Sequence, residues 1–528
     1  MPDILTYLGL VSDSWHRSGM DLTGARVLAR AGVLRPVRPD RLLGMALALA
    51  RWGLTPATGY AAGAARHPDR VALIDDEGAL TYREIDQRTD RLAGELRARG
   101  VHEGAPVGLL ARNGRGFVEA SVALAKCGAD LLYLNTGSSG AQLAEVLDRE
   151  GAISVVHDAE FERLLAPAAA GRLMVTTEEL GELAMTSPLA APPKTEHAPR
   201  MVVLTSGTTG APRGAARSSA SIDDVVSFLS RIPLKTGETT VIASPVFHAW
   251  GLAHLSLAML LGSTVVLQRR FEPAKALQAM ADHKASCLVV VPVMLSMLLE
   301  AGPESFDLSS LRVVASSGSA LPGELASKTL EALGPVLYNL YGSTEAAYAA
   351  IATPADLAED PRTAGKPPYG VTLRLVDDEG VEVPPGTPGR IFVGSPMSFE
   401  GYTDGSDKDR IDGLVATGDL GVMDEAGRLT VLGRDDDMVV IGGENVYPGQ
   451  VEDAILSHPR ISECAVTAAD DPAFGTKLVA HVVGEVDADE LKALVRDQVA
   501  RFAVPREFRF VSALPRNATG KVLKRELA

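Results

Sequence analysis

The stretch Thr205-Ser206-Gly207-Thr208-Thr209-Gly210-Ala211-Pro212-Arg213-Gly214 follows directly on the apolar run Met201-Val202-Val203-Leu204. An uncharged apolar run of this length reads as a short buried strand. Ending such a strand in hydroxyls and glycines gathers backbone N–H groups, O–H donors and a cation at one point, the combination a polyphosphate requires. The spacing excludes the common G-x-x-x-x-G-K-[ST] loop, because Ala211 and Pro212 stand where Lys and Ser/Thr would be needed. A plain surface turn is the alternative for a Ser/Thr/Gly loop taken alone.

The rest of the chain supplies the context. From about Val71 to Glu182, β-rich runs such as Val107–Leu110 and Leu131–Leu134 alternate with helical patterns such as Tyr82–Arg99, which predicts βαβ units and a mainly parallel sheet. The alternation resumes after the loop: strand at Val241–Ala243, helix at Leu252–Leu261, strand at Thr264–Leu267, helix at Pro273–His283, strand at Cys287–Val291. Strands at Leu311–Ala315 and Val336–Leu340 each stop at a glycine turn, Ser317-Gly318-Ser319 and Tyr341-Gly342. Ligands of open α/β sheets collect beyond the carboxyl ends of strands, so these turns and the phosphate loop are expected to share one crevice. After about Val371 the texture becomes hairpins, with turns at Asp377–Gly380 and Asp424–Gly427, and the last stretch reads as a small α+β domain with helices near Val451–Leu456 and Ala488–Ala500.

A chain of 528 residues exceeds what one core serves. The net charge of -16 excludes a general nucleic-acid binder, which carries a basic face, but not a nucleotide site built from local donors. Cys127, Cys287 and Cys464 are far apart and suggest neither disulfides nor a zinc site, so the cytoplasm is the expected compartment. No signal-peptide pattern is expected at the start, and the longest early apolar run, Leu42–Ala50, is far short of the ~20 residues of a spanning helix.

Further motifs stand in a fixed order after the loop: Pro245-Val246-Phe247-His248-Ala249-Trp250-Gly251, Ser317-Gly318-Ser319-Ala320-Leu321-Pro322, Tyr341-Gly342-Ser343-Thr344-Glu345 and Thr417-Gly418-Asp419. Then come Gly433-Arg434-Asp435-Asp436-Asp437-Met438, Gly442-Gly443-Glu444-Asn445 and Pro515-Arg516-Asn517-Ala518-Thr519-Gly520-Lys521. From about Pro68 to the C-terminus this series resembles the adenylate-forming superfamily of acyl-CoA synthetases, peptide-synthetase adenylation domains and luciferases. The resemblance implies an α/β fold: a large N-terminal domain of doubly wound sheets with a β-rich subdomain (57–435) and a small mobile α+β C-terminal domain (436–528). Residues 1–56 form a basic extension.

The resemblance also implies roles. Thr205, Ser206, Gly207, Thr208, Thr209 and Gly210, with Arg213, would hold the phosphates of ATP. Tyr341, with Gly342 and Ser343, offers a flat face to adenine, and Gly318, Ser319 and Ala320 read the base edge. Asp419 accepts from the ribose hydroxyls, Thr344 donates to the α-phosphate, and Glu345 has the hard oxygens that Mg2+ needs. Lys521 is the cation that bridges attacking carboxylate and phosphate, and Arg434 and His248 complete the catalytic set. Asp436 matches the hinge of the C-terminal domain, and Gly442 and Gly443 the passage for the pantetheine thiol of coenzyme A. The family most often has Lys where Arg213 stands, and a planar guanidinium does not replace an ammonium neutrally.

His248, Trp250 and Gly251 precede an apolar helix and, with Val291–Leu299, are candidates to wall an acyl pocket gated by Trp250; ordinary core is the alternative. The first 56 residues hold seven arginines against four aspartates, consistent with a basic amphipathic surface that meets a membrane or with helices packed on the enzyme body. This extension and Asn135–Gly140 look most like actinobacterial long-chain acyl-CoA synthetases. The expected activity is ATP-dependent conversion of a medium- or long-chain fatty acid to acyl-AMP and then acyl-CoA. The alternatives are transfer to a carrier protein, and a non-catalytic sensor of acyl groups or nucleotides.

Overall fold

The computed structural model describes residues 22–189, 195–197, 199–205, 213–217, 221–343, 346–395, 397, 399–402, 407–435, 439–441, 444–471, 475–499, 501–517 and 520–527. They fall into two compact units. The first comprises Met1–Val290, Glu304–Val314 and Pro396–Asp407; the second comprises Val291–Pro303, Ala315–Ser395 and Lys408–Ala528.

The first unit is built on two sheets. One runs, from edge to edge, Phe399–Tyr402, Arg213–Arg217, Met201–Thr205, Asp130–Tyr133, Pro106–Leu110, Ser154–His157, Leu173–Thr176. The last five strands are mutually parallel and the first two join antiparallel. Asp130–Tyr133 and Ser154–His157 are buried at every residue, as parallel strands covered on both faces must be, and this is why they read as continuous rather than alternating apolar runs. The other sheet runs Cys287–Val290, Thr239–Ile242, Thr264–Leu267, Val71–Asp75, Gly78–Thr81, parallel except for the final hairpin.

Local chemistry fixes the helix starts. Thr81 with Glu84, Ser139 with Gln142 and Ser221 with Asp224 form reciprocal capping boxes, each contributing about 1 kcal/mol by satisfying free N–H groups. The Lys126 side chain, on the helix Arg115–Cys127, is wholly buried, and its ammonium donates to Asp86 Oδ1 at 2.7 Å and Asp90 Oδ1 at 2.6 Å. Cys127, Cys287 and Cys464 are buried free thiols.

The second unit is β-rich. Thr372–Val376, Gly389–Gly394, Leu414–Met423 and Arg410–Ile411 form an antiparallel sheet to which Leu429–Arg434 adds by pairing with Leu414–Met423. The turn between those last two strands falls at the expected place, where Asp424 N donates to Arg428 O at 3.0 Å. Farther on, Ile461–Asp471, Gly475–Gly484 and Glu507–Phe510 make a three-stranded sheet. The helices Pro448–Leu456 and Ala488–Gln498 bury Val451, Ile455, Leu491 and Val495 in the core they share with Val466 and Val482. This is the small α+β domain that the sequence predicts.

Candidate active site

The phosphate loop connects two antiparallel strands: Met201–Thr205 pairs with Arg213–Arg217, and Thr205 stands opposite Arg213. The ends of the loop are thereby clamped together by a hairpin. Ser206, Gly207, Thr208, Thr209 and Gly210 lie outside the described residues, as do Thr344, Glu345, Asp436, Gly442 and Gly443.

Also in the first unit, His248 sits immediately before the helix Ala249–Leu260. Its Nε2 is buried without a hydrogen-bond partner among the described residues, and burial pushes its pKa down to about 4, so the imidazole is neutral at pH 7. Gly251 has a steric reason, since a Cβ there would overlap the Pro245 carbonyl. Trp250 does not hang free: its indole Nε1 donates to Val290 O at 3.0 Å, tying the first turn of the helix to the end of the strand Cys287–Val290. His254 packs edge-on to the Trp250 ring at a centroid distance of 4.2 Å and to Phe228 at 5.2 Å. Its Nδ1 contacts Trp250 O at 3.2 Å, its Nε2 is buried without a partner among the described residues, and burial holds its pKa near 4. Spacing i, i+4 puts Trp250 and His254 on one helix face, a signal present in the sequence but masked there by the surrounding leucines.

In the second unit three candidates meet. Tyr341, last residue of the strand Leu337–Tyr341, donates its phenol O–H to Asp419 Oδ2 at 2.5 Å. Asp419 lies opposite Arg434 in the register of Leu414–Met423 with Leu429–Arg434, and Arg434 Nη1 is 3.8 Å from Asp419 Oδ1. Burial, then the Asp419 charge, push the Tyr341 pKa far above its ordinary value, so the phenol keeps its proton. Thr417, which the sequence reading left without a role, helps fix the carboxylate, because its Oγ1 accepts from Asp419 N at 3.1 Å while donating to Ile391 O at 3.2 Å. The glycine between them takes φ +80°, a left-handed conformation that frees the chain to turn Asp419 toward Tyr341.

The loop Ser317–Ala320 is joined to the same strand, since Ser317 Oγ donates to Leu340 O at 2.9 Å. Gly318 and Ala320 are exposed and Ser319 half-buried. Beyond Tyr341, Ser343 Oγ accepts from Ala346 N at 3.0 Å, and Gly342 is so close to the Ala347 carbonyl that a Cβ would not fit. Lys521 is presented on a tight loop: Asn517 N donates to Lys521 O and Lys521 N to Asn517 Oδ1, both at 2.9 Å. The Lys521 side chain is exposed, without an ion-pair partner among the described residues. Gly520 lies against Val293, and Gly318 against Val291, so the Lys521 loop and the Ser317–Ala320 loop rest on the same short stretch of chain. A phenol, a carboxylate and a guanidinium in one group, with backbone-lined loops around Tyr341, can accept from vicinal hydroxyls and bind a flat base.

These features fit an adenine-nucleotide site. The chain belongs to the AMP-binding enzyme family, whose model matches residues 60–403 and whose C-terminal domain model matches residues 450–521; its fold is the α/β adenylate-forming fold with a large N-terminal and a smaller C-terminal domain. Similar proteins include a feruloyl-CoA synthase of Amycolatopsis, 34% identical over 473 residues covering 87% of this chain and 96% of that one. Another is the fatty acid–[acyl-carrier-protein] ligase ScoC of Streptomyces coeruleorubidus, 30% identical over 488 residues covering 88% and 94%. Among solved structures, the o-succinylbenzoate coenzyme A synthetase of Bacillus subtilis in complex with ATP and magnesium ion matches with a TM-score of 0.79 at 29% identity, covering 89% of this chain and 98% of that one. The relatives thus act on aryl as well as fatty acids, a wider range than long-chain acyl-CoA synthetases alone.

Proposed function

We propose that this AMP-binding enzyme is an acid–thiol ligase that transfers the AMP moiety of ATP to a carboxylic acid with release of pyrophosphate and then passes the acyl group to the thiol of coenzyme A with release of AMP. The observation that carries the nucleotide half is the Tyr341–Asp419–Arg434 group, in which a carboxylate accepts from a phenol and stands beside a guanidinium, next to the loop that follows Tyr341. Thr205–Gly210 and Arg213 hold the phosphates, and Thr344 donates to the α-phosphate. Glu345 would hold Mg2+, whose charge would offset that of the phosphates. Lys521 spans the two anions that react, and its freedom from ion pairing among the described residues suits it to that. His248 is a neutral contact for the carboxylate end of the acid. Residues 436–528 pivot at Asp436, exchanging Lys521 for Gly442 and Gly443, beside which the thiol enters.

The acid is a medium- or long-chain fatty acid, drawn from a membrane surface contacted by the arginine-rich start of the chain. The helix Ala249–Leu260 supports this, with Leu252, Leu255, Leu257 and Met259 buried and no charged residue along it, as does the likeness to ScoC. A second reading, an aryl acid, is favoured by the anchored indole of Trp250 with His254 edge-on to it and Phe228 edge-on to His254 in turn, and by the likeness to a feruloyl-CoA synthase. A panel of straight-chain and aryl acids, assayed for AMP release with CoA and with a carrier protein, separates these readings. Highest turnover on decanoate to palmitate with free CoA supports the first; highest turnover on cinnamate-type or benzoate-type acids replaces it with the second.

A further inference from the structure

The first unit holds a feature that the ligase chemistry does not use. A cavity of about 230 Å³ is lined by Arg35, Arg38, Arg41, Arg66, His67 and Arg70, and no carboxylate lines it. Among the described residues one acid pairs with these arginines, Asp40, which meets Arg38 at 3.1 Å on the open surface. Arg41 and Arg70 donate to backbone carbonyls, those of Arg66 and Gly262, at 2.8 and 3.0 Å. The like charges are felt: burial, then Arg70 and Arg35, lower the Arg66 pKa, and burial, then Arg70, Arg66 and Arg41, bring that of His67 down to about 4. Self-repulsion of this kind costs stability, and an anion in the cavity would relieve it.

Segments distant in sequence hold the lining in place. Thr236, also in the lining, donates its N–H to Ala31 O at 2.8 Å, and Gly237 N donates to Leu261 O at 3.0 Å. Gly237 takes φ +75°, and a Cβ there would overlap Arg70 Nη1, so the glycine leaves the guanidinium its place. The helix Pro39–Trp52 starts at the cavity with no side chain capping it at Arg38, which adds the positive end of its dipole to the same wall. The cavity also stands apart from the candidate acyl pocket. Arg70 directly precedes the strand Val71–Asp75, and Thr236 and Gly262 shortly precede Thr239–Ile242 and Thr264–Leu267, parallel strands of the same sheet. The arginines are thus at the amino ends of these strands, whereas Trp250 is tied to Val290 at the carboxyl end of their parallel neighbour. A four-residue strand is about 13 Å long, so the two sites lie at opposite edges of one sheet.

We propose that this cavity binds a diphosphate group, either free or as the charged end of a small soluble ester. Guanidinium groups are matched to phosphoryl oxygens. Five of them against the single carboxylate of Asp40 call for an anion of about four charges, which two phosphoryl groups at about −1.5 to −2 each supply. Pockets for whole drug-sized molecules run to roughly 300–1,000 Å³, so this one takes the phosphates and leaves the rest of an ester outside. The inference does not rest on the ligase reading.

The test is calorimetric titration of inorganic pyrophosphate into the full chain as wild type, Arg35→Gln/Arg66→Gln and Arg213→Gln, the last aimed at the phosphate loop. Wild type should show two binding events. Each bond from a guanidinium to a charged oxygen is worth about tenfold or more, so Arg35→Gln/Arg66→Gln should weaken one event about a hundredfold, while Arg213→Gln weakens only the other. The arginine double variant should keep acid-dependent ATP–pyrophosphate exchange; absence of exchange in wild type would count against the ligase reading and leave this one standing. Hydrogen–deuterium exchange of wild type needs no variant, and pyrophosphate should slow the amides of residues 35–41 and 66–70. Adenosine diphosphate serves as a second titrant: if the event lost in the double variant is tighter for it than for pyrophosphate, the source is an ester, and if weaker, the free anion. A pyrophosphate isotherm unchanged by Arg35→Gln/Arg66→Gln, or no protection at residues 35–41, overturns the proposal. Orthophosphate bound as tightly as pyrophosphate would reduce the ligand to one phosphoryl group and overturn the diphosphate assignment.

Discussion

Replacing Tyr341 by Phe removes one oxygen and leaves the ring, so it isolates the hydrogen bond to Asp419 from any stacking on the base. The phenol donates to a carboxylate at 2.5 Å, and a bond to a charged group contributes about 1.5–3 kcal/mol. The Asp419 side chain is 15% exposed, so water replaces part of the loss and the lower figure applies. About 1.5 kcal/mol corresponds to roughly a twelvefold weaker affinity for ATP. Because the Tyr341 proton is held far above the accessible pH range, the loss should be constant from pH 6 to 9. Calorimetric titration of ATP into wild type, Tyr341→Phe, Asp419→Asn and the double variant gives the coupling directly. The single losses should not add: with Asp419 neutral, removing the phenol should cost less than about half as much. Additivity within about 0.3 kcal/mol would mean that Tyr341 does not act through Asp419 and that the ribose contact is organised otherwise.

Other outcomes follow from other parts of the chain. Lys521→Ala should lower acid-dependent ATP–pyrophosphate exchange by roughly 10²–10³-fold while conversion of supplied acyl-AMP to acyl-CoA persists; equal loss of both half-reactions in a folded variant removes the lysine from the adenylation step. Burial, then Glu452, raises the Asp453 pKa to about 7, so the folded state retains a proton that the unfolded chain gives up, and stability falls as pH rises from about 4 to 7. Asp453→Asn should therefore gain melting temperature over wild type at pH 8 and lose that advantage near pH 4, a difference read by calorimetry at the two pH values. Lys126→Ala removes the ammonium that donates to both Asp86 and Asp90, and chemical denaturation should show a loss of about 3 kcal/mol.

The elements were legible because parallel strands buried on both faces must be apolar runs. The sequence places the strand at Thr264–Leu267 and the structure has the same bounds; the helix expected at Pro273–His283 ends one residue earlier, at Asp282. The helix expected from Leu252 starts at Ala249, with Trp250 and Gly251 in its first turn. The site was legible as a set of motifs but not as contacts. Tyr341 and Asp419 were assigned to different parts of a nucleotide, and nothing in their spacing announces that the phenol holds the carboxylate. Thr417 and His254 act through folding alone: one props Asp419, the other backs Trp250.

The central claim is that acid activation and thioester formation are successive steps on one protein. Single-turnover quench of the full chain with MgATP and decanoate, analysed by mass spectrometry, tests it most directly. Without CoA the account predicts acyl-AMP and pyrophosphate in amounts matching the enzyme; adding CoA should convert that acyl-AMP to acyl-CoA with release of AMP. Absence of any acyl-AMP across the fatty and aryl acids, or acyl-AMP that forms and is never consumed by CoA, would contradict it.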